Sequence, residues 1–183
     1  MILRAIQSCG KNMKQGISLT ISDLIMQYLA KVRSNRSITV FDERDEDVGT
    51  LIYNSFFSRK AQITTSDNRI YDVIPTGFWL NKTEITQDGV PYASVKYNLG
   101  KGANIYFENG LNLTVRLKSL WRYEYSILDN DEQEVGSIFI NFKWRTLSYT
   151  YEIELPETPK LQMNMVLPII LAYCTDYMRM RRR

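Results

Sequence analysis

The chain has 183 residues, 44% hydrophobic and 23% charged, which suffices for one domain with a substantial core. Its net charge of +3 and pI of about 8.8 fall short of the basic stripe that marks a nucleic-acid binder, so no nucleic-acid partner is expected. Histidine is absent, which removes the commonest general base, metal ligand and triad member, and no catalytic site, metal or cofactor is expected.

The first dozen residues hold Arg4 but no continuous apolar run, so they do not read as a secretory signal. Cys9 and Cys174 lie at opposite ends and read as plain thiols in a reducing, cytoplasmic setting. Residues 1–34 read as an N-terminal extension to a domain over 35–183. In that extension Ile17, Leu19 and Ile21 alternate as in a strand over Gly16 to Ile21. Ser22 can then cap a short amphipathic helix over Asp23 to Arg33, with Leu24, Ile25, Tyr28, Leu29 and Val32 on one stripe.

From Asn35 onward the high Tyr, Phe, Val, Ile and Thr content favours strands. A shift of 42 superimposes Ala61 on Ala103, Ile63 on Ile105, Val73 on Val115, Trp79 on Trp121 and Ile85 on Ile127 without a gap. A shift of 87 places Asp42 on Asp129, Val48 on Val135, Gly49 on Gly136 and Asn54 on Asn141. A period near 40 residues marks a repeated supersecondary unit, and turn residues divide each unit into about four strands. The units run from about Asn35 to Pro75, Gly77 to Lys118 and, truncated, Ser119 to Leu155. Turns are expected at Asp67-Asn68, Asp88-Gly89, Gly100-Lys101-Gly102, Asn109-Gly110 and Asp129 to Glu134. Leu111, Leu113, Val115 and Leu117 share one face, as do Trp121, Tyr123, Tyr125 and Ile127. Thr114, Arg116, Lys118, Arg122, Glu124 and Ser126 are expected on the wet face, the pattern of antiparallel strands. Eleven strands are counted, and Gly16 to Ile21 could supply a twelfth.

The chain closes on an apolar helix over Leu161 to Met178. Thr158-Pro159 fits an N-cap and first-turn proline, while Pro168 predicts a kink or a later start. Arg179 and Arg181 to Arg183 suit the C-terminal end of a helix dipole. The unbroken apolar run, Met165 to Cys174, is too short for a bilayer, which takes about 20 residues. A barrel of eleven or twelve strands leaves a lumen that something must occupy, and this helix can be its plug. A tail anchor in lipid is the competing reading.

Phe78-Trp79, Glu84-Ile85-Thr86, Leu120 to Asp129, Val135 to Ile138, Trp144, Tyr151-Glu152-Ile153 and the terminal helix together resemble the tubby C-terminal-like fold. That superfamily includes tubby domains, phospholipid scramblases and LURP-one-related proteins. The resemblance implies a closed antiparallel barrel of about twelve strands, pseudo-threefold, around a central hydrophobic C-terminal helix. It also implies a noncatalytic binding protein that recognises anionic phospholipid headgroups or a protein partner, peripheral to a membrane. The signature motifs of tubby domains are not matched residue by residue. The Asp ladder and cysteine cluster of scramblases are also missing, which leaves calcium-triggered lipid movement without a basis.

Aromatic and basic residues adjoin at strand junctions: Phe57 with Arg59 and Lys60, Trp121 with Arg122, and Trp144 with Arg145. Rings beside cations suit a headgroup layer, and Lys118, Arg122, Lys143 and Arg145 are the expected anion site. The bland alternative is corner packing with solvated cations. The acidic turns Asp42 to Asp47 and Asp129 to Glu134 read as solvated hairpins, since the second has Glu134 where a calcium loop needs Gly. Gly100-Lys101-Gly102 reads as a hairpin turn. Asp176, the one carboxylate deep in the terminal helix, is expected near its end and paired with an arginine. A ligand carrier or enzyme with a pocket at the barrel mouth remains the alternative function.

Overall fold

A computed structural model describes residues 25–34, 36–55, 58–77, 80–98, 102–145, 148–158, 161 and 164–181. Twelve strands form one closed antiparallel barrel in which each strand pairs with its neighbour in sequence and β1 closes against β12. They are β1 (Ile25–Ser34), β2 (Ser37–Phe41), β3 (Asp47–Tyr53), β4 (Ala61–Thr65), β5 (Ile70–Thr76), β6 (Lys82–Gln87), β7 (Val90–Asn98), β8 (Gly102–Phe107), β9 (Asn112–Ser119), β10 (Glu124–Leu128), β11 (Glu134–Lys143) and β12 (Ser148–Pro156). A helix, α1 (Leu167–Met180), follows.

The 42-residue period is a register. Ala61 pairs with Val73 and Val73 with Ile85, while the shifted positions repeat this as Ala103 with Val115 and Val115 with Ile127. The threefold pattern also appears in three β-bulges. Val40 faces Gly49, Ile85 faces Ala93 and Ile127 faces Gly136, and in each case the register shifts at the next residue, so that Val48, Tyr92 or Val135 is the extra one. The matched glycines have a steric cause. A Cβ on Gly49, whose φ is +156°, would lie 2.6 Å from the Thr64 carbonyl oxygen and 2.7 Å from Ile169 Cδ1, and one on Gly136 would lie 2.4 Å from the Glu154 carbonyl oxygen.

Three expectations are corrected. Residues 25–33 form strand β1, not an amphipathic helix. Met26, Tyr28, Ala30 and Val32 pack toward the core at period two, and ladders to β12 and β2 on both sides outweigh the helical stripe. The barrel therefore begins at Ile25, ahead of the expected boundary at Asn35, and β1 fills the twelfth place. The strand proposed for Gly16 to Ile21, the cap at Ser22, and Phe57, Trp79, Gly100 and Lys101 lie outside the described residues. Second, the strand expected from Trp121 starts at Glu124, because Leu120 to Tyr123 form a turn with Tyr123 at φ +50°. Glu124 and Ser126 are then buried, not wet. Third, the continuous helix starts not at Leu161 but at Leu167, the later start that Pro168 in its first turn allowed, with Val166 as an N-cap that lacks a side-chain bond. Ahead of it Leu161, Asn164 and Leu167 donate their N–H to the carbonyls of Thr158, Leu161 and Asn164.

The lumen is filled as expected. Every residue of α1 from Leu167 to Met178 is buried, against inward Ile38, Leu51, Ile63, Ile85, Ile105, Ile127, Ile138 and Ile153 from the wall. Among the described residues no helix is long and apolar enough to cross a membrane. The outer wall carries exposed Arg33, Asp72, Glu84, Lys96, Arg116 and Glu152, unlike the apolar band of a membrane barrel.

Candidate functional site: the barrel end where the helix emerges

Because every connection joins sequential antiparallel strands, the loops alternate between the two ends of the barrel. The helix enters from the end holding the β2–β3, β8–β9 and β10–β11 turns, where Tyr92 and Asn109 donate to Asn164 Oδ1 at 2.9 and 3.5 Å. It emerges at the end holding the β3–β4, β5–β6, β9–β10 and β11–β12 connections, where the Tyr177 hydroxyl donates to the Leu80 carbonyl.

The two ends differ in charge. The entry end is acidic: Asp42, Glu43, Asp45 and Glu46 lie in one turn, and Asp129, Asp131 and Glu132 in its repeat. Asp42 Oδ1 accepts from the backbone N–H of Arg44 and Glu46, and Asp129 Oδ1 accepts from those of Asp131 and Gln133, so these carboxylates cap their own turns. At the exit end, the described loop residues include Arg36, Arg59, Lys60, Arg122 and Arg145 and no carboxylate. Large apolar groups stand among them: Trp121 is 97% exposed, Trp144 80%, Leu120 63% and Tyr123 59%.

Of the four expected anion-site residues, three are placed at this rim. Arg122 is in the β9–β10 turn, Lys143 ends β11 and Arg145 follows Trp144, all exposed. Among the described residues no carboxylate lies in ion-pair range of these three. Lys118, one residue short of the exit end of β9, is already engaged. It points outward from β9 and pairs with Glu134 at 2.8 Å and Glu124 at 3.2 Å. These bonds hold its ammonium above the ordinary lysine value, so it is committed to the wall.

Beneath the rim the helix end is held by a buried polar network. Asp176 is 5% exposed and accepts from Tyr53 at 2.9 Å, Tyr151 at 2.5 Å and Arg179 Nη2 at 2.5 Å, as the pairing with an arginine anticipated. Arg179 Nε also donates to Tyr151, and its guanidinium lies 4.0 Å over the Tyr149 ring. Burial first, then the Asp176 charge, pushes the Tyr53 and Tyr151 phenols well above the usual tyrosine value. Burial likewise pushes the Cys174 thiol up to about 12. Arg59 stacks at 4.3 Å on Tyr177, which stacks in turn on Tyr97 at 4.2 Å.

Beside this network a cleft of about 540 Å3 opens between β10, β11, β12 and the helix end. Its walls are Tyr123, Tyr125, Ile140, Phe142, Trp144 and Tyr149, with Arg179 at one side. Tyr125, Ile140 and Phe142 come from β10 and β11, while Tyr123 and Trp144 from the flanking turns, Tyr149 from β12 and Arg179 from the helix join them only through the fold. A second, acidic cleft of about 340 Å3 lies at the entry end against Tyr28, Asp42, Glu43 and Asp45.

Comparison with family models, curated proteins and solved structures finds no match. The functional reading therefore rests on the exit end itself.

Proposed function

We propose that this chain is a noncatalytic binding protein of the tubby-like type that docks end-on at a membrane surface and recognises anionic phospholipid headgroups. A twelve-stranded barrel around a C-terminal helix supports the architectural half of this reading. The observation that carries the functional half is the exit rim, where Trp121 and Trp144 stand exposed beside Arg122, Lys143 and Arg145. Indole rings favour the headgroup layer. Arginine forks fit phosphate, and a cation near an anionic leaflet contributes about 1 kcal/mol. Three such cations give on the order of 3 kcal/mol, roughly a hundredfold in partitioning, so binding is reversible and weakened by salt. The acidic entry end would be repelled by the same surface, which selects one orientation.

Vesicle flotation tests this. Recruitment is expected to rise as phosphatidylserine or a phosphoinositide is added to phosphatidylcholine, and to fall with salt. Arg122→Glu with Arg145→Glu should lower it at least about tenfold, whereas Lys118→Glu should matter less because Lys118 is already paired. Absence of recruitment by every vesicle, or recruitment unaffected by the double charge reversal, would sink the proposal.

A further inference from the structure

We propose that the exit-end cleft takes the single apolar chain of an anionic amphiphile, with a fatty carboxylate as the simplest case. This goes beyond headgroup recognition and does not depend on it.

The lining decides the chain. Phe142 meets Trp144 edge to face at 4.7 Å and Tyr149 at a tilt at 4.8 Å, so ring faces and edges, with Ile140 beside them in the lining, offer apolar contact to a slender hydrocarbon. A volume of about 540 Å3 falls within the usual range for small-molecule sites, roughly 300 to 1,000 Å3. The charge decides the head. An aromatic cleft can also hold a quaternary ammonium, but here the Arg179 guanidinium already occupies a face of Tyr149. Arg122 and Arg145 adjoin the lining residues Tyr123 and Trp144 in sequence. A cation would meet like charge, whereas an anionic head at the mouth meets complementary charge. Arg179 is also fixed before any ligand arrives, since Asp176 and Tyr151 hold it and its side chain is 17% exposed. Asp176 does not compete for the ligand's place, because two phenols and Arg179 engage its oxygens.

Calorimetric titration of the full chain with dodecanoate, below its micelle concentration and without vesicles, should show saturable binding at one site. A neutral amphiphile of similar chain, decyl glucoside, should bind about tenfold more weakly or worse. Phe142→Glu places a carboxylate in the cleft and should lower dodecanoate affinity at least about tenfold. Trp144→Ala, at an exposed position that keeps the fold, should lower it in the same direction. Trp121→Ser, which lies outside the cleft, should leave dodecanoate binding unchanged while lowering flotation. Saturable dodecanoate binding by a protein that no vesicle recruits upholds the cleft and removes the membrane reading alone. No saturable binding, equal affinity for the neutral amphiphile, or affinity untouched by both cleft substitutions overturns the proposal.

Discussion

A chain truncated after Glu157 is expected to lose its fold. In the intact protein Leu167, Ile169, Ile170, Leu171 and Met178 are at most 7% exposed, and a fully buried side chain of this kind contributes about 1.5–3 kcal/mol. Five of them amount to on the order of 10 kcal/mol, as much as the whole net stability of a domain, roughly 5–15 kcal/mol. The loss is compounded from the other side. Ile38, Leu51, Ile63, Ile85, Ile105, Ile127, Ile138 and Ile153 point into the space the helix fills, and without it they would line a wet or collapsed lumen. Twelve strands do not close tightly enough to fill that space with wall side chains alone. Urea unfolding followed by far-UV circular dichroism should show no cooperative transition, with most of the product insoluble. A soluble fragment with a cooperative transition would mean that the helix is an accessory and not the core.

Asp176→Ala should destabilise the protein by about 3–5 kcal/mol, the usual result of breaking a buried ion pair from one side. The substitution strands the half-buried Arg179 guanidinium and removes the acceptor of two buried phenols, Tyr53 and Tyr151. Asp176→Asn keeps an acceptor oxygen and should cost less. Asp176→Ala combined with Arg179→Met removes the stranded charge and should recover part of the loss. Thermal melts of the four proteins order these outcomes, and equal melting temperatures for wild type and Asp176→Ala would refute the network. The same groups set an alkaline limit. Since Tyr53 and Tyr151 hold their protons more tightly when folded, their contribution is complete below pH 10 and declines as pH rises beyond it. Cys174, pushed up to about 12, acts in the same direction from its ordinary value near 9.

The barrel's symmetry could be read from the sequence because it is written as register. Ala61, Val73 and Ile85 recur as Ala103, Val115 and Ile127, and the structure pairs each set in the same way. The Gly49 and Gly136 match foreshadowed two bulges at close strand passages. The β1 segment was not legible, since its apolar residues satisfy two periods. Leu24, Ile25, Tyr28, Leu29 and Val32 make a helical stripe, and Met26, Tyr28, Ala30 and Val32 make a strand face. The choice between them was made by β2 and β12, whose edges need a partner.

The candidate site was half legible for a related reason. Adjacent pairs such as Trp121-Arg122 and Trp144-Arg145 announce themselves, and odd and even loops of an up-and-down barrel separate basic from acidic turns. That Lys118 is already paired was not legible, because nothing in its own segment says that Glu134 reaches it. A pocket at the barrel mouth stood as an alternative, but its lining was not legible, because Tyr149 and Arg179 meet Phe142 and Tyr123 only after β12 and the helix pack beside β10 and β11.

If the end where the helix emerges is the end that meets the membrane, as proposed, it alone should sense the bilayer. Attaching an environment-sensitive fluorophore at Trp121→Cys, and separately at Asp131→Cys, tests it most directly on anionic vesicles, with Cys9 replaced by serine and Cys174 fully buried. A blue-shifted, brighter signal from position 121 on vesicle addition and no change at 131 is the expected result; a shift at 131, or none at 121 in protein that floats with the vesicles, would overturn the end-on orientation.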